Sequence, residues 1–125
     1  MMNATLKIMA ACLLLLAACQ NPGKDKQDFI PGTYVKSAKS EYSIADDTLI
    51  IEHTNGTSYK ITQRTTYQAI RDGKLLPKKH LVHYLNASWD DSKQELDETT
   101  TGKVYHADPL KQVLTIKNLT YHKIR

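Results

Sequence analysis

Two thiols, five imidazoles and two Asp-Asp pairs are the groups whose chemistry could set this chain's task. Cys19 ends the run Leu16-Ala17-Ala18-Cys19 and is followed at once by Gln20-Asn21-Pro22-Gly23. A cysteine is the most nucleophilic side chain available near neutral pH, and the two alanines before it leave the backbone uncrowded for a processing enzyme. His80 and His83 stand three apart, a spacing that aligns ligands on a helix but sends them to opposite faces of a strand. Because the residues around them have strand composition, no shared metal is expected. His53, His106 and His122 each stand alone beside turn signals or strand ends and read as surface histidines. Asp46-Asp47 and Asp90-Asp91 have the residue types of an acid–base pair, but they fall in turn signals, where aspartate bonds to the local backbone. Neither a glycine-rich phosphate loop nor a Gly-x-Ser-x-Gly elbow is present. No catalytic residue, metal or cofactor is expected.

The context of Cys19 is more specific. Only Lys7 is charged before it, and the apolar run Ile8–Cys19 would span about 18 Å as a helix, short of a hydrocarbon core of about 30 Å. A basic start, a short apolar middle and small residues at a boundary are the layout of a secretory signal peptide. Leu16-Ala17-Ala18-Cys19 resembles the bacterial lipobox. The resemblance implies a diacylglycerol on the Cys19 thiol, cleavage between Ala18 and Cys19, and acylation of the new amino group. Two or three acyl chains, palmitate among them, would hold the protein on a membrane. Gln20 after the cysteine resembles the outer-membrane side of the lipoprotein sorting rule, which places the chain in the cell envelope, on the outer rather than the inner membrane. The expected organisation is a signal peptide over 1–18, a flexible tether over 19–28 and a β-domain over 29–125.

Composition narrows the rest. Cys12 leaves with the signal and Cys19 is acylated, so neither a disulfide nor a cysteine zinc site can brace the domain. The formal charge of +4 falls slightly when Lys7 is removed, and the tyrosines alternate with aliphatics as core strands do. Nucleic acid is therefore not an expected partner. Lys78-Lys79-His80 is the densest basic spot and reads as a solvated loop after Pro77.

From Phe29 on, β-branched and aromatic runs alternate with turn signals every 8–12 residues, the pattern of a small antiparallel barrel or sandwich of about eight strands. Asn55-Gly56 lies between Leu49–His53 and Ser58–Thr62 and predicts a hairpin with a type I′ turn. Asp72-Gly73 is a second such signal. In Ser58–Ile70, Tyr59, Ile61, Thr65, Tyr67 and Ala69 share one face, and Gln63 interrupts it as a residue for a bend or a polar interior spot. Breaks are expected at Asp46-Asp47, Asp90-Asp91-Ser92, Thr101-Gly102, Asp108-Pro109 and Lys117-Asn118. Pro77 makes 75–81 a loop or an edge.

Pro31-Gly32-Thr33-Tyr34-Val35, leading into a meander, is similar to the start of small lipocalin-like lipoproteins of Bacteroidota. The resemblance implies that Tyr34 takes the place of the tryptophan that plugs the closed end of a lipocalin barrel. A carrier of that kind would hold a small apolar ligand among Tyr34, Tyr59, Tyr67, Tyr84 and Trp89. Asp47-Thr48-Leu49 resembles the O-glycosylation motif of the same phylum, which makes Thr48 a candidate acceptor. Asp47-Thr48-Leu49-Ile50 and Ile70-Arg71-Asp72-Gly73-Lys74 also resemble short lipoproteins of conjugative elements. The leading expectation is a non-enzymatic envelope lipoprotein that binds a protein or cell-envelope partner. The rivals are a carrier of a small apolar ligand, an accessory lipoprotein of a conjugative transfer system, and an enzyme, which would need two or more titratable groups converging in a cleft.

Overall fold

The computed structural model describes residues 22–125; the expected signal segment, the expected cleavage point between Ala18 and Cys19, and Cys19 itself lie outside the described residues. Among the described residues a helix, α1 (Pro22–Phe29), precedes nine strands: β1 (Gly32–Lys39), β2 (Ser43–Asn55), β3 (Ser58–Arg71), β4 (Lys74–Leu75), β5 (Lys79–Asp90), β6 (Glu95–Glu98), β7 (Val104–Asp108), β8 (Val113–Ile116) and β9 (Leu119–Lys123). Every pairing is antiparallel. The strands other than β4 close into an eight-stranded meander barrel, β9 returning to β1, while β4 adds to the outer end of β3.

Turn chemistry sets the connections. Asp72 and Gly73 both have positive φ (53° and 73°) between the paired residues Arg71 and Lys74, so this hairpin carries the type I′ turn. The Asn55-Gly56 hairpin also forms, but only Gly56 has positive φ (54°), and Asn55 is drawn into the ladder opposite Ser58 after a slip beyond His53. The turn is therefore centred on Gly56-Thr57, with the positive φ on its first residue, as in type II′. Asp90 Oδ1 accepts from the amides of Ser92 and Lys93, and Asp108 Oδ1 from the amide of Lys111, each closing a turn.

Two expectations are corrected. No break occurs at Asp46-Asp47, because cross-strand partners satisfy both carboxylates: Asp46 accepts from Ser37 Oγ, and Asp47 from Gln63, Thr65 and Tyr121. β2 runs straight through. The segment expected to be a flexible tether is helical from Pro22. Proline suits a first helical turn, Asp25 lies in that turn, and buried Phe29 and Ile30 fix the far end.

The core fills the lower barrel. Tyr34, Leu49, Ile61, Leu96 and Leu114 are fully buried there, with Trp89, Tyr105 and Tyr121 almost so. At the lower end the Tyr34 hydroxyl reaches the carbonyls of Phe29 and Ile30, both at 2.8 Å, and Lys123 Nζ donates to the Phe29 carbonyl and lies 4.1 Å from its ring centre. Burial holds the Lys123 ammonium below the ordinary lysine range. Gly32 lets this end close: a Cβ there would collide with the Arg125 carbonyl.

Candidate functional site

The barrel is taller on one side than on the other. β2, β3 and β5 run 13, 14 and 12 residues, whereas β6 to β9 run four or five. At about 3.3 Å per residue β3 is roughly 46 Å long, so the upper parts of β1, β2, β3 and β5 continue as a curved wall with no strand opposite. A polar layer marks where the packed interior stops. Asp47 accepts from Gln63 Nε2 (2.9 Å), Thr65 Oγ1 (2.8 Å) and Tyr121 Oη (2.6 Å), the last reaching across from the short side. Gln63 is thus the polar interior residue its place in the alternation suggested. Burial, with the Asp47 hydrogen bond, pushes the Tyr121 phenol above its ordinary range, and burial does the same to Tyr34. Burial and the charges of Glu98 and Asp47 push Tyr105 up to about 12.

Above this layer the wall exposes apolar side chains. Of the large apolar residues exposed among the described ones, Tyr42, Tyr67, Leu75, Leu81 and Val82 belong to the wall, Tyr84 adjoins it on the outer face of β5 opposite Thr62, and only Leu110, Leu119 and Ile124 lie elsewhere. On β5, His80, Val82 and Tyr84 share the outer face, as Tyr84 pairs with Thr62 and Val82 with Arg64, while Leu81 and His83 share the inner face with Thr65 and Gln63. Lys60 Nζ lies 5.5 Å from the centre of the Tyr84 ring. Near the tip, Tyr67, Ala69, Arg71, Leu76, Pro77 and Lys79 line a cavity of about 310 Å³, and Gln68 Nε2 holds its loop by donating to the Leu76 carbonyl.

The candidate ligand-lining set divides. Tyr34, Tyr59 and Trp89 belong to the packed core, whereas Tyr67 and Tyr84 are 39% and 70% exposed. The five therefore do not surround one ligand. Tyr67 keeps the inward face of β3 but stands above the point where the opposite side ends, and Tyr84 points outward. Larger cavities of about 630 and 610 Å³ flank the lower end beside α1, the first lined by Lys26, His106, Pro109 and Leu110, the second by Gln27, Asp28, His53 and Asp91. Thr48 is half-buried on the outer face of β2, opposite Val35 and Arg64.

The histidines are scattered. His53 Nε2 lies 2.7 Å from the Gly56 carbonyl, and His106 lies 3.9 Å from Glu95. Asp90, Glu95 and Asp97 bring carboxylate oxygens within 4.8 Å of one another, a grouping made by the β5–β6 pairing that adjacent-residue reasoning missed. It contains no histidine, and the Asp90 carboxylate already closes its own turn, which lowers its pKa chiefly through the Ser92 hydroxyl. No family model matches the chain, and neither a curated protein nor a solved structure does.

Proposed function

We propose that this chain is a bacterial cell-envelope lipoprotein, anchored through acylated Cys19, whose barrel is a non-enzymatic binding module with its wall as the docking surface. One observation carries this reading: aromatic and aliphatic side chains fill the barrel interior, while the exposed apolar residues gather on the wall. A patch of that kind on a small soluble domain marks an interaction site. The geometry also suits an anchor. Cys19 precedes α1 by only a few residues, and α1 lies at the lower end, so a lipid there sets the closed end toward the bilayer and turns the wall away from it. No helix among the described residues is long and apolar enough to cross a membrane.

Two measurements test it. Metabolic labelling with an alkyne fatty acid should mark the wild type and not Cys19→Ser, which should accumulate as unprocessed precursor. A photo-crosslinking amino acid at Tyr84, in cells, should give one defined adduct that the same group at Leu110 does not. Equal adducts from both positions would remove the wall from the proposal. The carrier is the second reading, favoured by the cavity beside Tyr67. It requires a small apolar molecule to survive native mass spectrometry of the wild type and to be lost in Tyr67→Ser.

A further inference from the structure

We propose that the upper edge of β5, Lys79–Leu85, takes up an extended segment of a protein partner as an added strand, and that this segment carries acidic side chains between its apolar ones. The inference rests on the wall being the docking surface and names the chemistry of what docks there.

β5 meets β6 only from Ala87 to Asp90, with two further bonds to the Asn86 carbonyl from the amide and the hydroxyl of Thr99. Residues 79–85 have β3 on one side and, among the described residues, no strand on the other. The direction of the free groups follows from two hydrogen bonds. The Trp89 amide donates to the Thr57 carbonyl and so points toward β3, whereas the Asn86 carbonyl points toward β6. Strand alternation then turns the N–H and C=O groups of His80, Val82 and Tyr84 outward, six groups on an open edge that an added strand would satisfy.

Side chains and charge choose the occupant. Val82 and Tyr84 flank the edge on the outer face and Leu81 on the inner, so a strand seated there finds apolar surface on both sides. Lys78 and Lys79 stand at the start of β5, with Lys60 and Arg64 on the β3 residues beside it. No aspartate or glutamate occurs on β5 before Asp90, or on β3 from Lys60 to Tyr67. The other open edge of the wall, Lys36–Lys39, is short and guarded by two lysines with only Ser37 and Ala38 between them, a usual defence against strand addition. The β5 edge lacks that defence. A second copy suits it poorly: self-pairing would be antiparallel, would bring together two cationic edges with no carboxylate on either, and would send the two closed ends, with their anchors, in opposite directions.

The test uses the full-length protein in detergent, with amide hydrogen exchange read by NMR. Two probes are added in turn: an acetylated heptapeptide alternating glutamate with valine, and its lysine counterpart. The glutamate peptide should protect the amides of His80, Val82 and Tyr84 and bind about tenfold more tightly than the lysine peptide at low salt, a difference that narrows as salt is raised. Arg64→Glu, an exposed change, should weaken the glutamate peptide severalfold. Val82→Pro should abolish protection while leaving the melting curve near wild type, because the Val82 N–H faces away from β3. The proposal fails if the lysine peptide protects equally, if neither peptide protects these amides, or if protection rises with protein concentration alone, which would mean a second copy. Failure here together with a Tyr84-specific adduct in cells leaves the wall as a docking surface and removes only strand addition. Absence of that adduct removes the docking surface itself.

Discussion

β3 begins in the lower barrel as Tyr59 and Ile61 and ends in the wall as Tyr67 and Ala69, all on one face of a single strand. Tyr59 and Ile61 are 3% and 0% exposed, whereas Tyr67 is 39% exposed. Backbone pairing is the same at both levels, since β3 keeps β2 and β5 as neighbours from Ser58 to Tyr67. The difference is the short side: below the Asp47 layer the strands opposite supply side chains to pack against, and above it they have ended. Pairing alone therefore makes a sheet, and only a second layer makes a core. Stability should reside in the lower part, and the wall is free to serve recognition.

The largest expected effect breaks this comparison most directly. Trp89→Ala removes a side chain 4% exposed in the lower core and should cost about 3–5 kcal/mol. Tyr84→Ala, higher on the same strand, should change stability by no more than about 0.5 kcal/mol. Urea melts of the two variants give the comparison. A Tyr84→Ala loss as large as that of Trp89→Ala would mean that the wall packs against something and is no free surface.

The second effect is collective. Tyr34, Tyr105 and Tyr121 have phenols raised by burial, Tyr105 to about 12. A group whose pKa is raised on folding stabilises the fold fully below its unfolded value, here 10.0, and loses that contribution as pH rises through the folded value. Absorbance at the phenolate band should show these three silent until the chain unfolds, and stability should decline above about pH 10. Titration of all seven tyrosines at ordinary pH in folded protein would contradict the buried lower core.

Much of the lower part was legible in the sequence. The alternation around Tyr59 and Ile61, the hairpin at Asn55-Gly56 and the closing strands β8 and β9 follow from local pattern and turn chemistry, as does the Asp72-Gly73 hairpin at the tip of the wall. The failures share a cause. Asp46-Asp47 reads as a break because the partners that satisfy Asp47 lie 16, 18 and 74 residues away. Tyr67 reads as core because period-2 alternation reports which face a residue takes and carries no information about whether a strand stands opposite. The helix was hidden by its polar composition, although Pro22 and Asp25 are start signals. The open edge left one trace: Leu81-Val82 places apolar groups on both faces in succession, which a half-buried strand seldom does.

The boundary between the two regions is the third test. Asp47→Ala removes the acceptor of three side chains and leaves the Tyr121 hydroxyl without its partner. A buried donor left unsatisfied, with charge-assisted bonds lost beside it, should cost about 2–3 kcal/mol. Tyr121→Phe combined with Asp47→Ala should recover part of that loss, because the orphaned hydroxyl is then gone. If Asp47→Ala is neutral in thermal melts, the layer is not a structural boundary and the wall cannot be set apart from the core on this ground.

The smallest effect lies at the rim of the short side and sharpens the same boundary. Glu98 is 1% exposed, and its carboxylate accepts from the amides of Thr100 (2.7 Å) and Thr101 (2.8 Å) and from the Thr101 hydroxyl. Burial alone would raise its pKa, but those hydrogen bonds outweigh burial and leave the carboxyl below the ordinary glutamate value of 4.5. A group depressed in this way stabilises the fold above its unfolded value and loses that contribution as pH falls through the folded one. Glu98→Gln keeps the shape but turns an NH₂ group toward a turn built of donors. It should cost about 1 kcal/mol at neutral pH, and the gap to wild type should close below pH 4.5. Melts at pH 7 and pH 3 measure it. A gap that persists unchanged at pH 3 would mean that Glu98 acts through shape alone. The turn that ends the short side would then owe nothing to a buried charge, and the height at which the barrel gives way to the wall would be set by strand length only.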